Sequence, residues 1–274
     1  MLPDGTIVFV ETFCRRVSAF SADRGLYAYG DTGGAPTACV AGSDGIYVAQ
    51  NGRTAGPWLS PRPTPPSIMR VGADGEVSIV AEAASGEPLL GPNDLAFGPD
   101  GCLYFTDPGT FDPDQSKDGR ICCLQPDGTA TIVEHLGGSY PNGILIEADG
   151  SIVWTESFTR RVRRRLPAGG IETLATLPED RIPDGLEADA EGRLYVTGVT
   201  SGGIDILAPN GELSEFVPTA GPPLNCVFDG SALFVTELEA WTPELESGAP
   251  VMNGKLTRLE LGVRGRERYR GSIG

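Results

Sequence analysis

The chain has 274 residues, long enough for one large domain or two, with 38 glycines and 23 prolines spread along it. Its 37 acidic and 21 basic residues give a net charge of −16, which offers nucleic-acid phosphates no basic footprint and predicts a solvated acidic surface. No apolar run is long enough to span a membrane. The first residues lack the charged and apolar regions of a secretion signal. With six cysteines and no C-x-x-C pair, the expectation is a cytoplasmic protein with free thiols.

The predicted elements are short strands almost throughout, because no segment keeps a 3.6-residue apolar period. "LPDGTIVFVE" over 2–11 is a turn and a strand. "PTACVAGSDG" from 36 and "IYVAQN" from 46 make strand, turn and strand, followed by the Pro-rich loop "NGRTAGPWLSPRPTPPS" over 51–67. "GPNDLAFGPDG" over 91–101 opens the next unit, and its "LAF" strand is preceded by Pro92-Asn93-Asp94, three poor strand formers. "CLYFTD", the loop "DPGTFDPDQSKDG" over 107–119, "GRICCL" and "ATIVEH" complete that unit. The pattern returns from 141 as "PNGILIEADG", "SIVWTE", "RVRRRL" and "IETLAT". It returns from 183 as "PDGLEADAEG", "RLYVTG", "GIDILA" and "LSEFVP", and from 223 as "PLNCVFDG" and "ALFVTE" before a loop over 237–254.

Asn93, Asn142, Asp184 and Asn225 mark the same point of four repeats, 49, 42 and 41 residues apart. A period in the forties with four short strands per unit predicts an all-β fold, a β-propeller with four-stranded antiparallel blades. The repeat runs from end to end, which predicts a single propeller domain over 1–274. The tight Asp-Gly turns fall on one face. The polar starts of the innermost strands and the long loops, carrying Trp58 and Trp241, fall on the other. Asn93, Asn142, Asp184 and Asn225 are then expected to converge at the mouth of the central channel. His135, the single histidine, reads as structural at the end of an outer strand, and the run 160–165, "RRVRRR", as a solvated edge. Cys39 and Cys226 fall in innermost strands, where a small buried thiol packs well.

Amide carbonyls and a carboxylate are hard oxygen donors, suited to Ca²⁺, Mg²⁺ or Mn²⁺. The same residues also cap turns at strand entries, and on residue chemistry alone both readings stand.

"GPNDLAFGPDGCLYFTDP", "YPNGILIEADGSIVWTES" and "IPDGLEADAEGRLYVTG" resemble the regucalcin/gluconolactonase/luciferin-regenerating-enzyme family of six-bladed propellers, over essentially the whole chain. The resemblance implies a divalent cation, Ca²⁺ first, with Mg²⁺, Mn²⁺ or Zn²⁺ as alternatives. Asn142 and Asp184 are its implied ligands, Asn93 touches metal or substrate, and Asn225 is a pocket wall. The family's remaining ligand, a Glu in a Glu-Gly-Pro segment, precedes the turn with which this chain begins. The first inner strand is therefore expected to be missing, with the start truncated. Glu11, at the end of a second strand, is the nearest but a different position.

The implied reaction is metal-dependent hydrolysis of a lactone, a small-molecule substrate, with the cation as Lewis acid. Asp184 is ligand and candidate base, the catalytic residue of this reading. Asp94 is expected to point away from it. Polar donors on the rim are expected from Asn51, Arg53, Arg62 and Asp107, and apolar contacts from Trp58, Trp241 and Phe111. The alternatives are a non-catalytic metal- or ligand-binding propeller and a related phosphotriesterase-like hydrolase. The sequence carries no signature of oligomeric state.

Overall fold

The computed structural model of the protein describes residues 1–56, 58–239 and 253–274. It is nearly all-β, a six-bladed β-propeller of antiparallel sheets, and among the described residues helix is limited to single 3-10 turns such as Thr12–Cys14 and Pro113–Gln115. Blade 1 comprises Ile7–Glu11, Arg16–Ser21 and Gly25–Asp31, and blade 2 Pro36–Ala41, Ile46–Gln50, Ser67–Val71 and Val77–Ala81. Blade 3 comprises Leu95–Phe97, Leu103–Asp107, Arg120–Leu124 and Ala130–His135. Blade 4 comprises Pro141–Ile146, Ile152–Glu156, Arg161–Arg165 and Ile171–Thr176. Blade 5 comprises Pro183–Ala188, Leu194–Gly198, Gly203–Leu207 and Leu213–Pro218, and blade 6 Pro223–Asp229, Ala232–Leu238 and Gly254–Glu260. Among the described residues no helix is long and apolar enough to cross a membrane.

Local chemistry explains the turns. Asp4, Asp100, Asp127 and Asp149 each accept the N–H two residues on, at 2.8–3.1 Å, closing the side-chain turn that asparagine and aspartate favour. The residue between must then be left-handed. Gly101 and Gly150 adopt φ of 78° and 86°, which a side chain would oppose.

The middle strands are buried on both faces. Ile46–Gln50, Arg120–Leu124, Ile152–Glu156 and Leu194–Gly198 contain no exposed residue, whereas the outer strand Leu213–Pro218 is almost wholly exposed. This is why the second strands read as continuous apolar runs rather than as alternating ones.

Two compact units emerge from the contacts: 1–153 with 165–169 and 268–274, and 154–164 with 170–267. In the first, Tyr47, Ile68, Leu95, Phe97, Leu103, Phe105 and Ile273 pack into one core. Tyr47 stands edge-on to Phe97 with ring centroids 5.4 Å apart, and its hydroxyl accepts the Ile273 N–H at 2.7 Å. In the second, Tyr195, Ile204, Ile206, Phe228, Leu233 and Val235 form the core, with Tyr195 edge-on to Phe228 at 5.0 Å. Burying each such side chain contributes roughly 1.5–3 kcal/mol.

One boundary differs from expectation. The inner strands of blades 4, 5 and 6 begin at their prolines, but that of blade 3 begins at Leu95. Ahead of it the chain still bonds to the second strand, Asn93 N–H to the Thr106 carbonyl (2.9 Å) and Thr106 N–H to the Asp94 carbonyl (3.0 Å), while the Leu95 N–H is taken by the Asp94 carboxylate at 2.8 Å.

Candidate functional site

Each inner strand from blade 2 to blade 6, except that of blade 3, opens on a proline, which has no N–H to give. In blades 2, 3 and 6 the N–H just ahead of the proline is fixed by a polar side chain at or next to the end of the second strand. Ala35 donates to Gln50 Oε1 (2.6 Å), and Gly91 donates to Asp107 Oδ1 (2.8 Å) with Leu90 beside it (2.9 Å). Gly221, ahead of Pro222-Pro223, donates to Glu237 Oε2 (2.7 Å).

The preceding residue on the second strand points to the other side, as strand alternation requires, and there it holds the next inner strand. Thr106 Oγ1 donates to the Asn142 carbonyl (2.7 Å), Thr155 to the Asp184 carbonyl (2.5 Å) and Thr197 to the Leu224 carbonyl (2.8 Å). Thr106-Asp107 is therefore a two-sided clip. The signal was present in the sequence as the recurring ends of "YFTD", "VWTE" and "FVTE", whose meaning emerges only when the neighbouring strand is in place.

The motif also sits where the ladder slips. Register shifts between Pro183 and Leu186, and between Pro223 and Asn225, leave Asp184-Gly185 and Leu224, the residue before Asn225, in bulges. A bulge removes a side chain from strict alternation and re-aims it. Gly185 is fixed by crowding: a Cβ there would stand 2.2 Å from Asn225 Oδ1. That oxygen accepts the Cys226 N–H at 2.8 Å.

In the first unit, Asn142 is buried and Asn93 half-buried. Asn93 Nδ2 lies 3.4 Å from the Tyr140 hydroxyl, and Tyr140 is edge-on to Phe111 at 4.9 Å. Tyr140 adopts φ of 55°, a left-handed conformation that costs a side-chain-bearing residue about 1–3 kcal/mol. Asp94 is buried.

Three of the four expected rim donors, Asn51, Asp107 and Arg62, are engaged with other protein groups. Asn51 is buried, donating to the Gly109 carbonyl (3.0 Å) and accepting from the Thr54 N–H (3.2 Å). Asp107 is fully buried and paired with Arg120 at 2.5 Å. Arg53 is exposed, and Arg62 pairs with Asp31 at the surface. Trp58 is half-buried against Phe13, with centroids 5.2 Å apart, and Trp241 lies outside the described residues. Glu11 is held by Arg16 at 2.7 Å. His135 is exposed at the end of its outer strand, with Nδ1 2.9 Å from Asp118 Oδ2.

In the second unit, Asp184 is half-buried. Three residues ahead of it, Arg181 pairs with the fully buried Asp205 and lies over the Phe216 ring at 4.8 Å. Burial pushes the Asp205 carboxyl up, against the opposing pull of Arg181.

Among the described residues no three His, Cys, Asp or Glu side chains gather as a metal cluster. The donors at the repeated point are amide oxygens at Asn93 and Asn142 and a carboxylate at Asp184. Such hard oxygens suit Ca²⁺ or Mg²⁺, not a thiophilic metal.

A family model described as "SMP-30/Gluconolactonase/LRE-like region" matches residues 2–239. The chain belongs to this family. Within it, a gluconolactonase of Zymomonas mobilis is 30% identical over 222 residues, 71% of this chain and 60% of the relative's own length. The chain thus spans less than two thirds of that relative. Among solved structures, a luciferin-regenerating enzyme superposes with a TM-score of 0.76 at 17% identity, covering 98% of this chain and 92% of the other. A calcium-binding regucalcin from Agrobacterium tumefaciens gives 0.74 at 19% identity, covering 98% and 90%. At these identities the likeness is one of fold.

Proposed function

We propose that the protein is a divalent-metal-dependent hydrolase that opens a lactone, a sugar lactone or a related cyclic ester. Asn142 and Asp184 hold the cation, and Asn93 contacts metal or substrate. The observation that carries this reading is the pairing of family membership with two intact motifs, Pro141-Asn142-Gly143 and Pro183-Asp184-Gly185. The backbone carbonyl of each motif's metal-ligand candidate is clipped by a threonine.

A cation held by Asn142 and Asp184 would supply Lewis-acid polarisation of the ester carbonyl. The chain's own residues do the rest. The threonine clips fix the backbone from which the Asn142 and Asp184 side chains project, so that orientation is set before substrate arrives. The Asp184 carboxylate accepts the proton of the attacking water. Asn93, held near the Tyr140 hydroxyl, offers an amide to the substrate's oxygens. Trp58 and Phe111 supply apolar surface, and Arg53 an exposed positive charge. Asp107 acts through the Leu90-Gly91 backbone that leads into Asn93.

Paired variants test the reading. Asp184→Asn keeps an oxygen ligand but removes charge and basicity. Lactone hydrolysis at saturating metal should fall at least about a hundredfold, the scale of a lost general base. Asn142→Ala should act through metal affinity and be partly rescued by high metal concentration. If neither variant changes the rate in folded protein, the strand starts are turn caps and the proposal fails.

A further inference from the structure

Pro183 pairs with Gly198 and Leu186 with Val196, so Asp184 and Gly185 both stand opposite Thr197. A bulge takes its residues out of the regular ladder, and their carbonyls then need donors from elsewhere. Three buried hydroxyls supply them. Ser157 Oγ donates to the Pro183 carbonyl at 2.8 Å, Thr155 Oγ1 donates to the Asp184 carbonyl at 2.5 Å, and Thr197 Oγ1 lies 3.0 Å from the Gly185 carbonyl.

Because peptide groups are planar, the first two bonds act on one residue in different ways. The Pro183 carbonyl belongs to the plane that ends at the Asp184 Cα, so holding it fixes φ of Asp184. The Asp184 carbonyl belongs to the plane that starts there, so holding it fixes ψ. Together they set the direction in which the Asp184 side chain leaves the backbone, at a point where the bulge has removed strand alternation as a guide. Thr155 has counterparts in Thr106, Thr197 and Thr236. Ser157 is less common in the repeat. Directly after the residue at the Glu156 position, blades 2, 3, 5 and 6 carry Asn51, Pro108, Val199 and Leu238. Blade 1 carries Thr12, whose Oγ1 donates to the Pro36 carbonyl at 2.8 Å, ahead of Thr37. The Ser157 bond therefore has a working model in blade 1, where no proposed ligand follows it.

We propose, on the reading of Asp184 as a metal ligand, that Ser157 is a positioning residue for it. The Ser157 hydroxyl sets φ of Asp184 while Thr155 sets ψ, and the carboxylate is aimed before a cation arrives.

The test is isothermal titration calorimetry of the full chain with Ca²⁺, alongside thermal melting without metal. Ser157→Ala should bind Ca²⁺ about tenfold more weakly, the low end of the loss seen when a group that orients a metal ligand is removed. Ser157→Thr should restore the affinity, since Thr12 makes the same bond in blade 1. Thr12→Ala is the structural control: it removes the equivalent bond and should lower the melting temperature while leaving the Ca²⁺ affinity unchanged. Asp184→Asn is measured beside them. If Asp184→Asn weakens binding but Ser157→Ala does not, or if Thr12→Ala weakens it as much as Ser157→Ala, the serine is only structural and the proposal is overturned. If the unmodified chain does not bind Ca²⁺, or Asp184→Asn binds as the unmodified chain does, the ligand assignment itself fails and the proposal falls with it. Should Ser157→Ala not fold, Ser157→Cys, whose thiol is a weak donor, takes its place, and an affinity equal to that of the unmodified chain would overturn the proposal equally.

Discussion

A thiol surrounded by protein resists ionisation, and the thiolate is the form that reacts. Burial, reinforced by the neighbouring Cys102, pushes Cys123 up to about 12, and burial also raises Cys122, whereas Cys14 is exposed. Maleimide labelling of the native protein near pH 8, about the unperturbed thiol pKa, should therefore modify Cys14 first and leave Cys122 and Cys123 for the unfolded chain. Peptide mass spectrometry reads the order, and rapid labelling of Cys123 in folded protein would contradict its packing. Residues whose candidacy rests on their sequence neighbours stand out at this scale. Asn142 and Asp184 stand out because each lies between a proline and a glycine at a repeated spacing. Residues whose role depends on distant partners were not legible. Tyr140 is unremarkable in sequence, and only the fold brings it to Asn93 and Phe111. Asp107 looked like a rim donor because it follows a strand, yet its oxygens serve Leu90, Gly91 and Arg120.

The energetics of the element scale lie in the strand-end pairs. Arg120 is 3% exposed at its side chain and Asp107 not at all, so removing one partner strands a charge. Arg120→Met should cost about 3–5 kcal/mol in urea denaturation, whereas Arg120→Met combined with Asp107→Leu should cost less than the single change, because no buried charge remains. A double variant at least as unstable as the single one would show that the pair's hydrogen bonds to the backbone matter more than its charge balance. Glu11 gives a pH signature. Burial raises its carboxyl, but the bonds from Arg16 and Ser18 outweigh it and hold the carboxyl below its ordinary value of 4.5. The folded pKa lies below the unfolded one, so the stabilisation is present above about pH 4.5 and is lost as pH falls through the folded value. Melting temperatures across that acid range should fall less steeply in Glu11→Gln than in the unmodified protein; equal slopes would remove Glu11 from the account. The strands themselves were readable, since "LAF", "ILI" and the Asp-Gly turns carry local chemistry. The register shifts at Pro183 and Pro223 were not, because a bulge is defined by the partner strand.

At the scale of the whole molecule, the four-fold recurrence of one motif made the propeller legible before any coordinate, since self-similarity needs no long-range information. The charge of −16 bears on solubility and on which partners are repelled, not on the fold. Function is less legible, because a propeller is a scaffold and its chemistry lies in a few side chains. In the proposed site they are amides and one carboxylate, donors that do little chemistry without a cation. Metal dependence is therefore the central claim, and lactone hydrolysis measured before and after exhaustive chelation, with metal content checked by elemental analysis, tests it most directly. Activity should vanish with the metal and return on addition of Ca²⁺, Mg²⁺ or Mn²⁺. Full activity in demonstrably metal-free protein would contradict the account.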